Sequence, residues 1–149
     1  MKISERLDTD LKVAMRARDE LRLRVLRMLK SDLRYRQIEL GHELSDDEVI
    51  AIVSTSAKKR REAIVEYDRG GRQDLSDGER AELAVISEYL PEQLSPEELN
   101  KLIDKAIAET GATTIKDIGN IMKVLMPEIK GRADGKAVNV SVRARLEGN

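Results

Sequence analysis

The sequence contains no cysteine, no tryptophan and no phenylalanine, and its one histidine is His42. The absence of cysteine excludes disulfides, thiolate nucleophiles and cysteine-ligated metal sites. The chain also carries no phosphate-binding glycine loop, no HExxH motif and no nucleophile elbow. A histidine between Gly41 and Glu43 is typical of a solvated turn between two helices. We therefore predict no catalytic residue, no metal site and no cofactor.

Long hydrophobic runs are also missing. The first ten residues, MKISERLDTD, are amphipathic and charged, and no later stretch is apolar enough and long enough to span a bilayer. The sequence therefore predicts neither a secretory signal nor membrane association, and we expect the protein to lie in the cytoplasm.

Charge and strong helix formers dominate what is present. Charged residues make up 37% of the 149 residues and aromatic residues only 2%, a balance typical of helical proteins. Residues 1–40 carry 11 basic and 7 acidic residues, residues 41–109 carry 9 and 17, and residues 110–149 carry 7 and 4. Two basic ends thus flank an acidic middle. This pattern indicates either an anionic partner for the ends or pairing between oppositely charged parts of the fold.

Helix start and stop signals are frequent. The capping-box pattern Ser-x-x-Glu, in which two side chains satisfy free backbone N–H groups, begins at residues 45, 76 and 95. Glycines at positions 41, 70, 71, 111 and 131 are typical helix stops. The first two helices are either continuous or broken around residues 17–19. Together these signals predict helices over residues 3–16, 18–40, 46–69, 76–89, 96–110, 115–126 and 136–146.

Two segments conflict with a simple helical pattern. Pro127 lacks the N–H that a helix interior needs, so a break or a kink is expected there. Val138, Val140 and Val142 alternate as in a β-strand, whereas Val138, Val142 and Leu146 also fit one face of a helix. The pattern alone favours a strand over residues 137–146.

The segment YLPEQLSPEEL, residues 89–99, is the strongest candidate for a domain boundary, because two prolines flank a short polar stretch. It predicts an N-terminal multi-helix domain over residues 1–91 and a small three-helix module over residues 95–149. A module of about 55 residues is close to the lower limit for independent folding.

A set of cations around a glycine-rich turn is the clearest candidate for a binding site: Lys116, Lys123, Lys130, Arg132 and Lys136. The first three lysines are seven residues apart, which would place them along one side of a helix. The turn GRADG, residues 131–135, follows them directly. Backbone N–H groups at the start of the last helix would add to an anion site there. The alternative is an ordinary solvated helix edge.

Other basic residues are interpreted as structural or solvated. The run KKRR, residues 58–61, lies in a helical pattern, where four consecutive side chains point in different directions and cannot share one patch. Arg60 falls on the apolar stripe of that helix and is expected either to extend to solvent or to pair with a carboxylate. Arg24, Arg27 and Arg34 of the predicted second helix are interpreted as a solvated face.

The string DIGNIMKVLMPEIKGRADGKAVN, together with EYLPEQLSPEEL and EYDRGGRQDL, resembles the YqeY-like family over essentially the whole chain. That family shares its C-terminal module with the tail of the B subunit of tRNA-dependent amidotransferases. The resemblance implies an all-α fold, with an N-terminal multi-helix domain followed by a small three-helix module of this type. On this ground we predict a helix, and not a strand, over residues 137–146.

In the amidotransferases the similar tail module contacts the outer corner of tRNA, while the chemistry takes place elsewhere. Carried onto this sequence, the resemblance implies that Lys123 and Arg132 contact phosphates. We expect both side chains to be exposed. The resemblance also implies turn and cap roles for a second set of residues: Gly119, Gly131, Asp134 and Gly135.

Three hypotheses about function follow from the resemblance. The first is a non-catalytic tRNA-binding accessory protein linked to tRNA-dependent amidation or aminoacylation. The second is a protein-interaction module whose acidic middle docks on an aminoacyl-tRNA synthetase or an amidotransferase. The third is an amide-forming or amide-cleaving enzyme, since the family is associated with carbon–nitrogen ligases that use glutamine as amido-N-donor. The chain lacks a counterpart of the catalytic region of those ligases.

Overall fold

The computed structural model describes residues 1–148, which form seven α-helices and one short 3₁₀ turn. The chain divides into two compact units, one from Met1 to Leu90 and one that begins at Pro91. The first unit contains α1 (Ile3–Ala17), α2 (Glu20–Leu40), α3 (Asp46–Arg69) and α4 (Gln73–Ser87). The second unit contains α5 (Pro96–Thr110), the 3₁₀ turn (Ile115–Asp117), α6 (Ile118–Ile129) and α7 (Gly135–Glu147).

Helices account for the regular secondary structure of residues 1–148, in which no β-strand occurs. The predicted all-α fold is therefore confirmed. None of these helices combines the length and the apolar character that are needed to cross a membrane.

Local cap chemistry sets the helix boundaries in the first unit. Arg18 has a left-handed backbone conformation, with a φ of 54°, and separates α1 from α2. Asp19 then caps α2, since its carboxylate accepts a hydrogen bond from the N–H of Arg22 at 3.1 Å. The predicted capping box of α3 is present: Ser45 Oγ accepts from the N–H of Glu48 at 3.2 Å, and the Glu48 carboxylate accepts from the N–H of Ser45 at 3.2 Å.

The predicted start of α4 at Ser76 is wrong. The helix begins at Gln73, after Gly71 turns the chain with a φ of 72°. Ser76 is fully buried, and its hydroxyl donates to Asp68 of α3 and accepts from Arg80. Hydrogen bonds from Ser76 and Arg80 hold the pKa of Asp68 below its usual range. The serine therefore joins α3 to α4, a tertiary role that the local spacing did not reveal.

The core of the first unit is aliphatic. Val25 and Leu29 of α2 and Val49 and Val53 of α3 have at most 1% of their surface exposed. These residues recur every four positions and so lie along one face of each helix. Full burial of a side chain of this size stabilises a fold by about 1.5–3 kcal/mol.

Tyr89 closes one end of this core. It follows α4, is 2% exposed, and donates its hydroxyl proton to Asp10 of α1 at 2.5 Å. The guanidinium of Arg6 lies over the ring, 4.6 Å from its centre, which is within the range of a cation–π contact. Burial and the hydrogen bond to Asp10 raise the pKa of the Tyr89 phenol well above its ordinary value.

Arg60 of α3 pairs with carboxylates, which is one of the two outcomes that its position on an apolar stripe predicted. Its guanidinium lies 3.2 Å from Glu82 and 3.6 Å from Glu79, both on α4. Glu82 also pairs with Arg24 of α2 at 3.2 Å. This charge network connects three helices, and loss of one partner would leave a poorly solvated charge uncompensated.

The second unit has its own aliphatic core, in which Ile103 of α5, Ile121 and Leu125 of α6, and Val142 of α7 are at most 2% exposed. Ser95 caps α5 by accepting a hydrogen bond from the N–H of Glu98 at 3.1 Å. Three helices thus share one small core.

The helix predicted over residues 137–146 is confirmed, since α7 runs from Gly135 to Glu147. Val138, Val142 and Leu146 are buried, whereas Val140 is 61% exposed. The alternating valines would have favoured a strand, but burial of every fourth residue against α5 and α6 stabilises the helix. Strand propensity is weak enough for packing to reverse it.

Of the break or kink expected at Pro127, the break is wrong, because α6 continues through the proline to Ile129. Pro127 is exposed and lies in the last turn of the helix, where its ring removes a single backbone hydrogen bond. Leu125 and Ile129 on either side are buried. The N–H of Lys130 donates to the carbonyl of Met126 at 3.1 Å and completes the turn.

Candidate nucleic-acid interface

The GRADG turn of the predicted site is hydrogen-bonded to the segment that precedes α5. The N–H of Leu94 donates to the carbonyl of Arg132 at 2.9 Å. The side-chain amide of Gln93 donates to the carbonyl of Gly131 at 2.7 Å. Residues 91–94, called the strap below, thereby fix the backbone of the turn.

Arg132 is part of this framework. Its Nε donates to the carbonyl of Glu92, in the strap, at 3.0 Å, and a terminal guanidinium nitrogen lies 4.0 Å from the Glu98 carboxylate. The side chain is 35% exposed. Arg132 is therefore only partly exposed, less than expected, because its guanidinium lies against the strap, whereas Lys123 is exposed as expected. A phosphate contact of Arg132 stays a prediction and would use the N–H groups that these partners leave free.

The start of α7 already carries a carboxylate of the chain itself. Asp134 occupies the N-cap position, and its side chain accepts a hydrogen bond from the N–H of Ala137 at 3.3 Å. This cap takes one of the N–H donors that the sequence offered to a ligand. Its negative charge also opposes a phosphate at the same position. The N-terminus of α7 is therefore a poor anion site.

Four lysines of the predicted site are exposed, and we call them the lysine set: Lys116, Lys123, Lys130 and Lys136. In the described part of the second unit, the ion pairs within 4.0 Å use other cations: Lys105, Arg132 and Arg145. The lysine set therefore presents four amino groups to solvent without an intramolecular carboxylate partner among residues 1–148.

The lysine row is not a single helical stripe. Lys123 lies on α6, roughly opposite the buried residues Ile121 and Leu125. Lys116 lies in the 3₁₀ turn, in which each residue rotates the chain by about 120° instead of the 100° of an α-helix. Lys130 is the C-cap of α6 and has an extended ψ of 118°. The three lysines are exposed before, on and after α6.

The glycines of the predicted site differ in what the backbone requires. Gly131 has a φ of 74°, a conformation that other residues rarely adopt. Gly135 is the first residue of α7, and a Cβ there would lie 4.0 Å from Met126, an ordinary contact distance. Gly119 is the second residue of α6 and not part of a turn, and a Cβ there would meet no atom within 4 Å. Nothing in the structure explains the glycine at position 119.

Asp117 orders the chain before α6. Its carboxylate accepts hydrogen bonds from the N–H groups of Thr113 at 3.0 Å and Thr114 at 3.2 Å. These hydrogen bonds hold the pKa of Asp117 below its usual range, because they favour the charged form. The cap thereby fixes the 3₁₀ turn that carries Lys116.

Part of the basic N-terminal end of the sequence is paired within the first unit. Its cross-helix ion pairs are Arg22–Glu88 at 2.7 Å, Arg24–Glu82 at 3.2 Å and Lys30–Asp8 at 2.8 Å. Two of these carboxylates belong to the acidic middle of the sequence. The segregated charge therefore serves, at this end, to join parts of one unit.

Sequence reasoning missed the strap. The sequence between the two prolines indicates only a boundary, yet Glu92, Gln93 and Leu94 carry the hydrogen bonds that hold the turn. The partners of the Gln93 and Arg132 side chains are 38 and 40 positions away along the chain. Local spacing contains no signal for contacts of this range.

The sequence is similar to one protein family and to several curated proteins. A family model described as "Yqey-like protein" matches residues 4–146. Three curated relatives bear the name "Altered inheritance of mitochondria protein 41, mitochondrial". The protein from Vanderwaltozyma polyspora is 29% identical over 119 residues, which cover 75% of this chain and 64% of the relative. The one from Pyrenophora tritici-repentis is 27% identical over 132 residues, covering 86% and 71%, and the one from Saccharomyces cerevisiae is 28% identical over 133 residues, covering 89% and 70%. The chain thus spans less than two thirds of the length of the first relative and slightly more than two thirds of the length of the other two.

Proposed function

The chain belongs to the YqeY-like family, and from this premise we propose that it is a non-catalytic tRNA-binding accessory protein linked to tRNA-dependent amidation or aminoacylation. Its second unit docks on the outer corner of tRNA through the lysine set. The observation that carries the proposal is that these four amino groups are exposed and have no carboxylate partner among the described residues. Free cations of this kind are what contacts with a phosphate backbone require.

Charge pairing makes the paired cations of the N-terminal end less available to phosphate than the lysine set, and the unpaired ones are examined with the control variant below. An unpaired lysine that meets a phosphate releases a counterion from the nucleic acid, and this release drives binding. Arg22 and Arg24 of α2 would first have to leave Glu88 and Glu82, respectively. The lysine set has no such competitor inside the described chain.

Recognition by the second unit rests on shape and phosphate contacts. All three tyrosines of the sequence, Tyr35, Tyr67 and Tyr89, precede residue 91, and the chain has no other aromatic residue. Base stacking on an aromatic ring, which single-strand binders use, is therefore not available to this unit. We expect strong salt dependence and little dependence on base sequence.

The protein-interaction alternative has less support, because carboxylates of the acidic middle are used internally. Asp68 pairs with Arg80 at 2.6 Å, and Glu79 and Glu82 pair with Arg60. These side chains hold α3 and α4 together, so they are less available to a partner protein. A synthetase or an amidotransferase remains a proposed second partner, which would bind alongside the tRNA.

The enzyme alternative is tested directly with the purified chain. We expect it to release no ammonia from glutamine and to leave charged tRNA unmodified. Turnover that survives repurification and disappears on a point mutation of this chain would contradict the accessory role. The proposed place of action is the cytoplasm, although the relatives' names assign those proteins to mitochondria; fractionation of native cells would decide this.

The docking surface is tested by fluorescence anisotropy of labelled tRNA at several salt concentrations. Three or four phosphate contacts predict a slope of log affinity against log salt of about −2 to −4, since each contact contributes roughly −0.7 to −0.9. Changing all four lysines of the set to glutamine should weaken binding and bring the slope close to zero. Glutamine is polar and only one atom shorter than lysine, and all four side chains are exposed, so the fold should be unaffected.

A matched control changes four exposed cations of the first unit to glutamine: Lys12, Arg16, Arg27 and Arg34. This variant loses the same net charge but keeps the lysine set, so it should retain most of the affinity and of the slope. Loss of binding in the control with retention in the lysine variant would place the docking surface on the first unit. Absence of tRNA binding at low salt would refute the proposed function.

A further inference from the structure

A cavity of about 590 Å³ opens between α2 and α3 of the first unit. Its lining residues recur at spacings of three and four, so they form one face of each helix: Met28, Asp32, Tyr35 and Arg36 from α2, and Ile52, Thr55, Ser56, Lys59 and Arg60 from α3. The volume lies in the range of about 300–1,000 Å³ that is typical of small-molecule sites.

An apolar wall and an exposed aromatic ring occupy part of the lining. Met28 and Ile52 are half-buried and pack against the core of the unit. Tyr35 is 73% exposed, although tyrosine rings usually find cover in a folded chain. A planar ligand that stacked on Tyr35 and lay against Met28 would cover apolar surface that the free protein leaves in water. The wall is therefore suited to a flat, aromatic group.

Cations occupy another part of the lining. Lys59 is exposed and has no ion pair among the residues that the structure describes. Arg36 pairs only with Glu39, three residues along the same helix, at 3.2 Å, and both side chains are about half exposed. A surface pair of this kind contributes little, so the guanidinium is free to turn to a stronger anion. Two cations are thus available to a ligand that carries negative charge.

Arg60 and Asp32 complete the polar lining in different ways. Arg60 is held by Glu79 and Glu82 of α4, and these carboxylates neutralise its charge. It therefore forms a fixed part of the lining and does not attract a further anion. Asp32 is exposed and has no ion pair in the described chain. A single carboxylate beside two available cations cannot cancel their attraction for an anion, but it can accept hydrogen bonds from ligand hydroxyl groups.

We propose that this cavity binds a nucleotide. The base stacks on Tyr35 against Met28, the phosphates are bound by Lys59 and Arg36, and Asp32 accepts a hydrogen bond from a ribose hydroxyl. The same chemistry describes a free nucleotide and the terminal nucleotide of an RNA strand. All lining residues lie in the first unit, so this site is separate from the lysine set and does not depend on tRNA docking there.

The test uses the full chain and adenosine 5′-diphosphate as the probe, with affinity measured by calorimetry and position by amide chemical shifts. Binding should perturb amides of α2 and α3 around residues 32–36 and 52–60. Tyr35→Ala and Lys59→Ala should each weaken binding by about fivefold or more, as expected for loss of a stacked base and of a charge-assisted contact.

Two controls are matched to these variants. Ile38→Ala removes a side chain of α2 that is also 73% exposed but does not line this cavity. Lys58→Ala removes the neighbouring lysine of α3, which does not line this cavity. Neither of these two variants should change the affinity for adenosine 5′-diphosphate by more than about twofold.

Further probes separate the sources of the ligand and the parts of the site. Adenosine and inorganic phosphate alone should each bind more weakly than the diphosphate, since each lacks half of the contacts. A short 5′-phosphorylated RNA whose binding depends on Tyr35 and Lys59, in the absence of diphosphate binding, would assign the site to an RNA end. The proposal is overturned if phosphate binds as tightly as the diphosphate, if the shifts map to the second unit, or if neither nucleotide probe binds at millimolar concentration.

Discussion

Replacing Arg132 by glutamate tests whether its guanidinium holds the GRADG turn against the strap. The substitution removes the hydrogen bond from Nε to the Glu92 carbonyl, which is 3.0 Å long. It also replaces the attraction of Glu98, 4.0 Å from the guanidinium, by repulsion between two carboxylates. The unfolded chain contains neither contact, so both changes destabilise the folded second unit.

The size of the effect follows from these two contacts. A hydrogen bond from a charged donor contributes about 1.5–3 kcal/mol, and the 35% exposure of the side chain places this one near the lower end. The exposed pair with Glu98 contributes at most about 1 kcal/mol. We therefore expect Arg132→Glu to destabilise the turn by about 2–3 kcal/mol, and Arg132→Gln to do so by about 1–2 kcal/mol, since glutamine adds no repulsion.

Hydrogen exchange of the Leu94 amide measures this directly, because its N–H donates to the carbonyl of Arg132 at 2.9 Å. A loss of 2 kcal/mol should accelerate its exchange about 30-fold in Arg132→Glu. Lys123→Glu changes the charge equally on the exposed side of α6 and should leave this amide unaffected. If Leu94 exchanges at the same rate in Arg132→Glu and in the unaltered chain, the guanidinium does not hold the turn.

Three further outcomes concern the first unit. Tyr89→Phe leaves the Asp10 carboxylate without its hydrogen bond and should lower the free energy of unfolding by about 1–3 kcal/mol in a urea titration at pH 7; an unchanged midpoint would show that water replaces the hydroxyl fully. The raised pKa of Tyr89 means that the folded chain keeps the phenol proton at a pH where the unfolded chain loses it, so stability should fall as pH rises above about 10, and less steeply in Tyr89→Phe; equal slopes would contradict this. Ser76→Ala removes a buried hydroxyl that donates to Asp68 and should cost about 1–2 kcal/mol in the same urea assay, whereas Ser31→Ala, on an exposed position of α2, should cost little.

The fold was predictable where the signal is local. The caps at Ser45 and Ser95 depend on residues three positions away, and the structure has both. The start of α4 was not predictable in this way, because Ser76 bonds to Asp68 on another helix. The helix does not break at Pro127 for a related reason, since packing of the buried neighbours of the proline, and not local backbone preference, decides where α6 ends.

The candidate site was predictable only in part. Lysines follow a simple rule, since an ammonium group is seldom buried without a partner, and the lysine set is exposed accordingly. Arg132 looked equivalent to Lys123 in the sequence, but a guanidinium can also bridge backbone and carboxylate groups inside a fold. Its partner Glu92 is 40 residues away, so only the tertiary structure separates the two residues. The same holds for the cavity between α2 and α3, whose two walls are separate stretches of sequence.

The strap determines how the second unit could be moved between proteins. Gln93 and Leu94 precede α5 in the chain, yet they secure a turn that follows α6. A gene fusion that attached the second unit to another protein at Pro91 would transfer the strap and its hydrogen bonds to the turn together with the helices. The other protein would then need to supply no contact to the turn. A fusion at Ser95 would transfer every helix of the second unit but would lose the hydrogen bonds from Gln93 and Leu94 to the turn. A shift of the junction from Pro91 to Ser95 therefore decides whether the transferred unit keeps the hydrogen bonds that fix its turn.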